Sequence, residues 1–110
     1  MKQGQIWYAN LNPIEGSEQA GFRPVVIVSG NLLNENAPVL FCCPLTTKLK
    51  NYKGNPILYP NDQNGLKEVS EVMIVHLRSL SKMRLKEMIG FVPKETIQLI
   101  KLTINDILNY

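Results

Sequence analysis

Apolar residues in this chain fall into short runs divided by polar or proline-bearing segments. The first run, residues 6–11, is aromatic and β-branched enough to predict a strand. Asn12-Pro13 ends it, because proline cannot donate to a central ladder. Val25-Val26-Ile27-Val28 forms the middle of a second strand over residues 24–29, and its unbroken apolar character predicts burial on both faces. The intervening residues 12–22 make a polar, glycine-bracketed loop too long for a simple hairpin. Gly30 and Asn31 break the second strand, and residues 32–35 suit one helical turn. A third strand is expected over residues 39–43, running into Pro44-Leu45-Thr46-Thr47 and a lysine-rich loop to Gly54. Residues 56–59 read as a fourth strand, Asn64-Gly65 as a turn, and residues 71–77 as a fifth strand. Residues 79–84 suit a short turn or 3₁₀ segment with Ser81 as its cap. The last strand is expected over residues 85–92, with Gly90 as a weak point or bulge.

From Lys94 to Leu108 the period changes. Ile97, Ile100, Ile104 and Ile107 fall on one helical stripe, and Pro93 suits the first turn. Leu99 and Leu102 lie off that stripe. They predict a second apolar contact, either with a partner chain or through deep burial of the helix in its own domain. Five or six short strands followed by one helix predict a mainly β domain with α, a small and strongly bent antiparallel barrel spanning residues 1–110.

At 110 residues the chain suffices for one core, and 45% hydrophobic content is ordinary for a globular domain. No apolar run is long enough for a membrane span. The N-terminal residues lack the apolar segment of a signal peptide, so the expectation is a cytoplasmic protein without a membrane partner. The adjacent Cys42 and Cys43 would point to opposite faces of a strand, which argues against a mutual disulfide. With two cysteines and one histidine, a zinc site is not expected, and neither a metal nor a cofactor is assigned.

A net charge of +3 tolerates an anionic partner without demanding one. Lys48, Lys50 and Lys53 crowd one segment, and Lys82, Arg84 and Lys86 another. P-loop, dinucleotide-binding and zinc-protease motifs do not occur. What remains is a polar set: Glu18, Arg23, Thr46, His76 and Arg78. One reaction suits it. RNA is cut when its own 2′-OH attacks the adjacent phosphorus, so no protein nucleophile is needed. The protein must move two protons and stabilise charge on the phosphorane. Arginine does the latter well, because its planar fork matches phosphate oxygens, and a threonine hydroxyl adds a donor. Each residue also has a structural reading. Arg23 is either a brace paired with Glu18 or a phosphate clamp. Thr46 suits a turn bond, His76 a sheet position, and Arg78 a surface position.

Several motifs then coincide. Gly4-Gln5-Ile6-Trp7 is followed by Leu11-Asn12-Pro13 and by Gly16-Ser17-Glu18-Gln19-Ala20-Gly21-Phe22-Arg23-Pro24. Pro44-Leu45-Thr46, His76-Leu77-Arg78-Ser79-Leu80 and the basic segment 82–85 come next in order. Together they resemble the MazF/PemK (Kid) family of toxin endoribonucleases over nearly the whole chain. The resemblance implies an SH3-like barrel of the CcdB/PemK type with a C-terminal helix, acting as a homodimer. It implies metal-independent, sequence-specific cleavage of single-stranded RNA to 2′,3′-cyclic phosphate and 5′-OH ends, and a cognate antitoxin that covers the site. The family's catalytic arginine falls on Arg23, its threonine on Thr46 and its acidic loop residue on Glu18. Ser17, Gln19, Phe22, Lys48, Lys50, His76 and Arg78 are expected to contact RNA, with His76 standing where many relatives carry glutamine.

The chain departs from the pattern at Phe22 and Ser17, where some relatives have histidine. It departs again at Met73 and Val75, where the Kid-type members have arginine and aspartate. The general base is therefore unassigned. Two competing readings remain at this stage, a CcdB-like gyrase inhibitor without nuclease activity and a catalytically silent RNA-binding barrel.

Overall fold

The computed structural model describes residues 1–12 and 21–110. In chain order its elements are β1 (Gln5–Asn10), β2 (Phe22–Ile27), α1 (Asn31–Asn36), β3 (Val39–Thr46), β4 (Ile57–Leu58), β5 (Ser70–Val72), β6 (Arg78–Ser81), β7 (Leu85–Phe91) and α2 (Lys94–Asn109). The long strands coincide with the β-branched runs of the sequence, where branched side chains fit a pleated surface.

Antiparallel pairing joins β6 to β3, β3 to β2, β2 to β1 and β1 to β7. The two ends of this arc, β6 and β7, are consecutive in sequence. A three-residue 3₁₀ turn, Lys82–Arg84, connects them, and Ser81 caps it by accepting the Met83 N–H at 3.3 Å. The arc therefore curls into an antiparallel half-barrel, as the strand pattern predicts. β5 pairs with the end of β3, and β4 pairs with β5.

Side-chain alternation gives the sheet two apolar faces. Inside the curl lie Ala9, Val25, Ile27, Leu40, Cys42, Leu80 and Leu85. On the outer face Ile6, Val26, Cys43, Leu45, Val72 and Ile74 meet Ile97 and Ile100 of α2. Cys42 and Cys43 thus fall on opposite faces as free, buried thiols. Burial pushes Cys42 up to about 11 and Cys43 to about 12, which keeps both protonated at neutral pH.

The expected fifth strand over residues 71–77 is broken. β5 ends at Val72, a 3₁₀ turn covers Ile74–His76, and β6 starts at Arg78. Continuing the β3–β5 register would set Cys42 opposite Val75, but it faces Arg78, three residues further on. Pro44 explains where the slip occurs. Its carbonyl accepts the Met73 N–H at 2.9 Å, so its missing N–H would lie on this same edge. Pro44 cannot donate a ladder bond in return, and the neighbouring chain is free to bulge.

The helix keeps Ile97, Ile100 and Ile104 against the body, but Ile107 is exposed. Residues 105–110 are all exposed, so the last turn projects past the sheet that would cover it. Thr103 is buried instead and donates to the Gly54 carbonyl at 3.0 Å. Leu99 and Leu102 face solvent, so the helix is not buried on all sides. Near the C-terminal end of β7 the pairing shifts between Ile6–Gly90 and Trp7–Met88, the bulge that Gly90 predicts.

Candidate active site

The inner face of the half-barrel runs out of apolar residues at one end. Along β2 the inward positions are Ile27, Val25 and then Arg23. Along β6 they are Leu80 and then Arg78, and along β3 they are Leu40, Cys42, Pro44 and Thr46. The chain thus changes from aliphatic to cationic side chains at the mouth of its own core.

A cleft of about 370 Å³ opens there, lined by Leu11, Gly21, Arg23, Pro44, His76 and Arg78. Among the described residues, none of the lining is acidic. Arg23, His76 and Arg78 are exposed, and among the described residues neither arginine has an ion-pair partner. Two guanidinium groups on low-dielectric walls focus positive potential into the cleft. Three of the residues singled out in the sequence therefore meet here. His76 reaches the cleft from the 3₁₀ turn rather than from a strand, a placement that depends on the break beside Pro44.

Thr46 lies at the rim rather than in the lining. Val25 pairs with Pro44, and the same register carried two residues further sets Arg23 opposite Thr46. Its Oγ1 accepts the Lys48 N–H at 3.1 Å, which uses the hydroxyl as an acceptor. Among the described residues nothing accepts the hydroxyl hydrogen, so it is available to an incoming anion.

Phe22 does not join Arg23. One residue along a strand, it points to the other face and packs edge-on against Tyr8, with ring centroids 5.8 Å apart. A second groove, about 640 Å³, opens beside Tyr8, Pro24 and Met88 and carries both Lys67 and Glu68. Its mixed charge suits a phosphate backbone less well than the arginine-lined cleft. Lys48 and Lys50 are exposed on the loop that leaves Thr46. Ser17, Glu18 and Gln19, including the Glu18 brace, lie outside the described residues.

Two supports were not legible beforehand. The Arg84 guanidinium donates to the carbonyls of Asn10 and Asn12, holding the chain where it leaves β1 beside the cleft. Gly21 abuts the Asn12 side chain so closely that a Cβ would fall 1.8 Å from Asn12 Oδ1. That contact explains a glycine just before Phe22-Arg23, and the sequence motif alone offered only a loop signal for it. Among the described residues, no three of the His, Cys, Asp and Glu side chains group as metal ligands.

A sequence model described as "PemK-like, MazF-like toxin of type II toxin-antitoxin system" matches residues 2–108. The chain is 31% identical over 102 residues to the endoribonuclease toxin MazF of Escherichia coli, covering 93% of this chain and 88% of that one. It is 30% identical over 92 residues to endoribonuclease MazF of Staphylococcus saprophyticus, covering 83% and 77%. Among solved structures, MazF of Deinococcus radiodurans superposes with a TM-score of 0.80 at 25% identity, covering 100% of this chain and 97% of that one. A mycobacterial endoribonuclease in complex with its cognate antitoxin superposes at 0.79 with 23% identity, covering 98% and 94%.

Proposed function

The chain belongs to the PemK-like, MazF-like family of type II toxins and is an endoribonuclease of that family, and we propose that it cuts single-stranded RNA without a metal ion. The attacking group is the substrate's own 2′-OH. The O2′–P bond forms, the P–O5′ bond breaks, and a 2′,3′-cyclic phosphate and a 5′-OH remain. One proton leaves O2′ and one reaches O5′. DNA has no 2′-OH and is spared.

Arg23 stabilises the phosphorane by pairing its planar fork with the non-bridging oxygens, charge that grows only as the reaction proceeds. Thr46 donates its hydroxyl hydrogen to the same phosphate. Arg78, Lys48 and Lys50 hold flanking phosphates, which makes binding salt-dependent. His76 offers a ring on which an unstacked base rests. Arg23 acts as an electrostatic catalyst, and the general base is unassigned. The observation that carries this reading is the pair of exposed arginines at the mouth of the inner core, with Thr46 in register beside Arg23.

We further propose a homodimer and a cognate antitoxin that covers the cleft. The mycobacterial neighbour is an endoribonuclease solved in complex with its cognate antitoxin, which supports the antitoxin partner. Exposed Leu99 and Leu102 on α2 supply apolar area for self-association. The test is digestion of a mixed RNA pool in excess EDTA. Cleavage leaving cyclic phosphate and 5′-OH ends is expected. Cleavage only after divalent metal is added, or 5′-phosphate ends, would refute the chemistry.

A further inference from the structure

Glu71 is fully buried at the centre of β5, paired with Thr46 of β3 on one side and Ile57 of β4 on the other. A carboxylate at such a position needs every lone pair satisfied. Here four donors converge on it. Oε1 accepts the backbone N–H of Lys50 at 2.6 Å and of Asn51 at 2.8 Å. Oε2 accepts the Tyr52 N–H at 3.1 Å and Asn55 Nδ2 at 2.7 Å. Asn51 has φ +55°, the left-handed conformation that turns successive N–H groups toward one point. Residues 50–52 thus form an anion nest, and the protein fills it with its own side chain.

The nest is built from the loop that leaves Thr46. Its first residues carry Lys48 and Lys50, and the Lys48 N–H donates to Thr46 Oγ1. Both lysine side chains are exposed; the Lys50 backbone is tied to the buried carboxylate and the Lys48 backbone to Thr46. A loop held this way presents its cations without first having to be ordered, which lowers the cost of binding.

We infer that Glu71 is a positioning residue for RNA binding, its carboxylate fixing the 50–52 backbone so that the loop leaving Thr46 presents Lys50, and Lys48 just before it, to the substrate. The inference rests on the assignment of those lysines to flanking phosphates. A purely structural carboxylate would support the fold but leave the number of phosphate contacts unchanged. The salt dependence of binding counts those contacts.

The experiment measures affinity for a single-stranded 2′-O-methyl oligoribonucleotide of mixed sequence across a NaCl series. The proteins are wild type, Glu71→Gln, Asn51→Val, Asn51→Gly and the double variant Lys48→Ala/Lys50→Ala. Asn51 is exposed, so Asn51→Val strains the nest from the solvent side and leaves the core intact. It decides the matter even if Glu71→Gln does not fold. Glu71→Gln and Asn51→Val are expected to bind roughly tenfold more weakly, with a log–log salt slope shallower by up to about 1.4, the change expected on removing two single-strand phosphate contacts in the lysine variant. Asn51→Gly, which accepts a positive φ, should bind like wild type. If the lysine variant weakens binding while folded Glu71→Gln or Asn51→Val binds with the wild-type slope, Glu71 has no positioning role and the RNA assignment stands. If the lysine variant itself binds like wild type, the loop is not an RNA contact, and both the assignment and the inference fail.

Discussion

Gly90→Ala tests the packing that closes the outer face of the half-barrel. A Cβ at residue 90 would sit 2.3 Å from the Gln63 carbonyl oxygen and 2.5 Å from the Asn64 carbonyl carbon. Both are backbone atoms, so no side chain can swing aside. The opposing turn is also stiff. Asn64 is buried and braces it, donating to the Tyr59 carbonyl at 2.9 Å and accepting from Asn61 and Leu66 at 3.1 and 3.0 Å. The turn must therefore retreat as a unit, and the Phe91 N–H loses its 3.0 Å bond to Gln63. One lost backbone bond costs about 1 kcal/mol, and forcing extra volume into a packed contact adds about 1–3 kcal/mol. The sum, about 2–4 kcal/mol, is a large share of the roughly 5–15 kcal/mol that holds a domain together. For a domain of this size it corresponds to a fall in Tm on the order of 10 °C. Thermal melts followed by circular dichroism, with urea titrations at 25 °C, measure it. A variant within about 3 °C of wild type would show that the turn yields freely and would refute the close-contact argument.

Two further outcomes follow from the same structure. Hydrogen bonds from Asn55 and from the Asn51, Lys50 and Tyr52 N–H groups outweigh the burial that would raise the Glu71 carboxyl, and hold it below the ordinary value of 4.5. A depressed folded-state value means stability is fully present above that ordinary value and is lost as pH falls through the lower folded one. Wild type should lose urea resistance across that acid window, and Glu71→Gln should lose less. An equal acid loss in both would remove Glu71 as the cause. Leu102→Glu places a charge on an exposed apolar residue of α2; if the proposed homodimer forms through this face, the variant should be a folded monomer by light scattering at concentrations where wild type has the mass of a dimer. An unchanged mass would move the dimer contact elsewhere.

The strand layout was legible because β-branched runs and proline breaks mark it locally. The break inside residues 71–77 was not, since Met73, Ile74 and Val75 continue the apolar run that precedes them. Its cause, the missing N–H of Pro44, is present in the sequence. Which edge of β3 that N–H would face is settled only by pairing. The separation of Phe22 from Arg23 follows from the two-residue period only once β2 is seen to begin at Phe22, where the sequence pattern predicts a loop up to that residue and a strand from residue 24. Arg23 beside Thr46 was not legible, because their proximity is a matter of β2–β3 register across residues far apart in the chain. The Glu71 nest is the least legible feature. Its donors lie 16–21 residues upstream in a loop whose conformation no periodicity describes.

The central claim is that Arg23 stabilises charge on the transferring phosphorus. Single-turnover cleavage of an RNA substrate in EDTA, by wild type and by Arg23→Ala of confirmed fold, tests it most directly. Arg23 lines the cleft with its side chain exposed, so its loss should leave the fold intact. Removing one charge-assisted donor that acts in the transition state should slow cleavage by about 10²–10³, worth roughly 3–4 kcal/mol, with the same cut sites remaining in the residual product. Cleavage by folded Arg23→Ala at the wild-type rate would contradict the account.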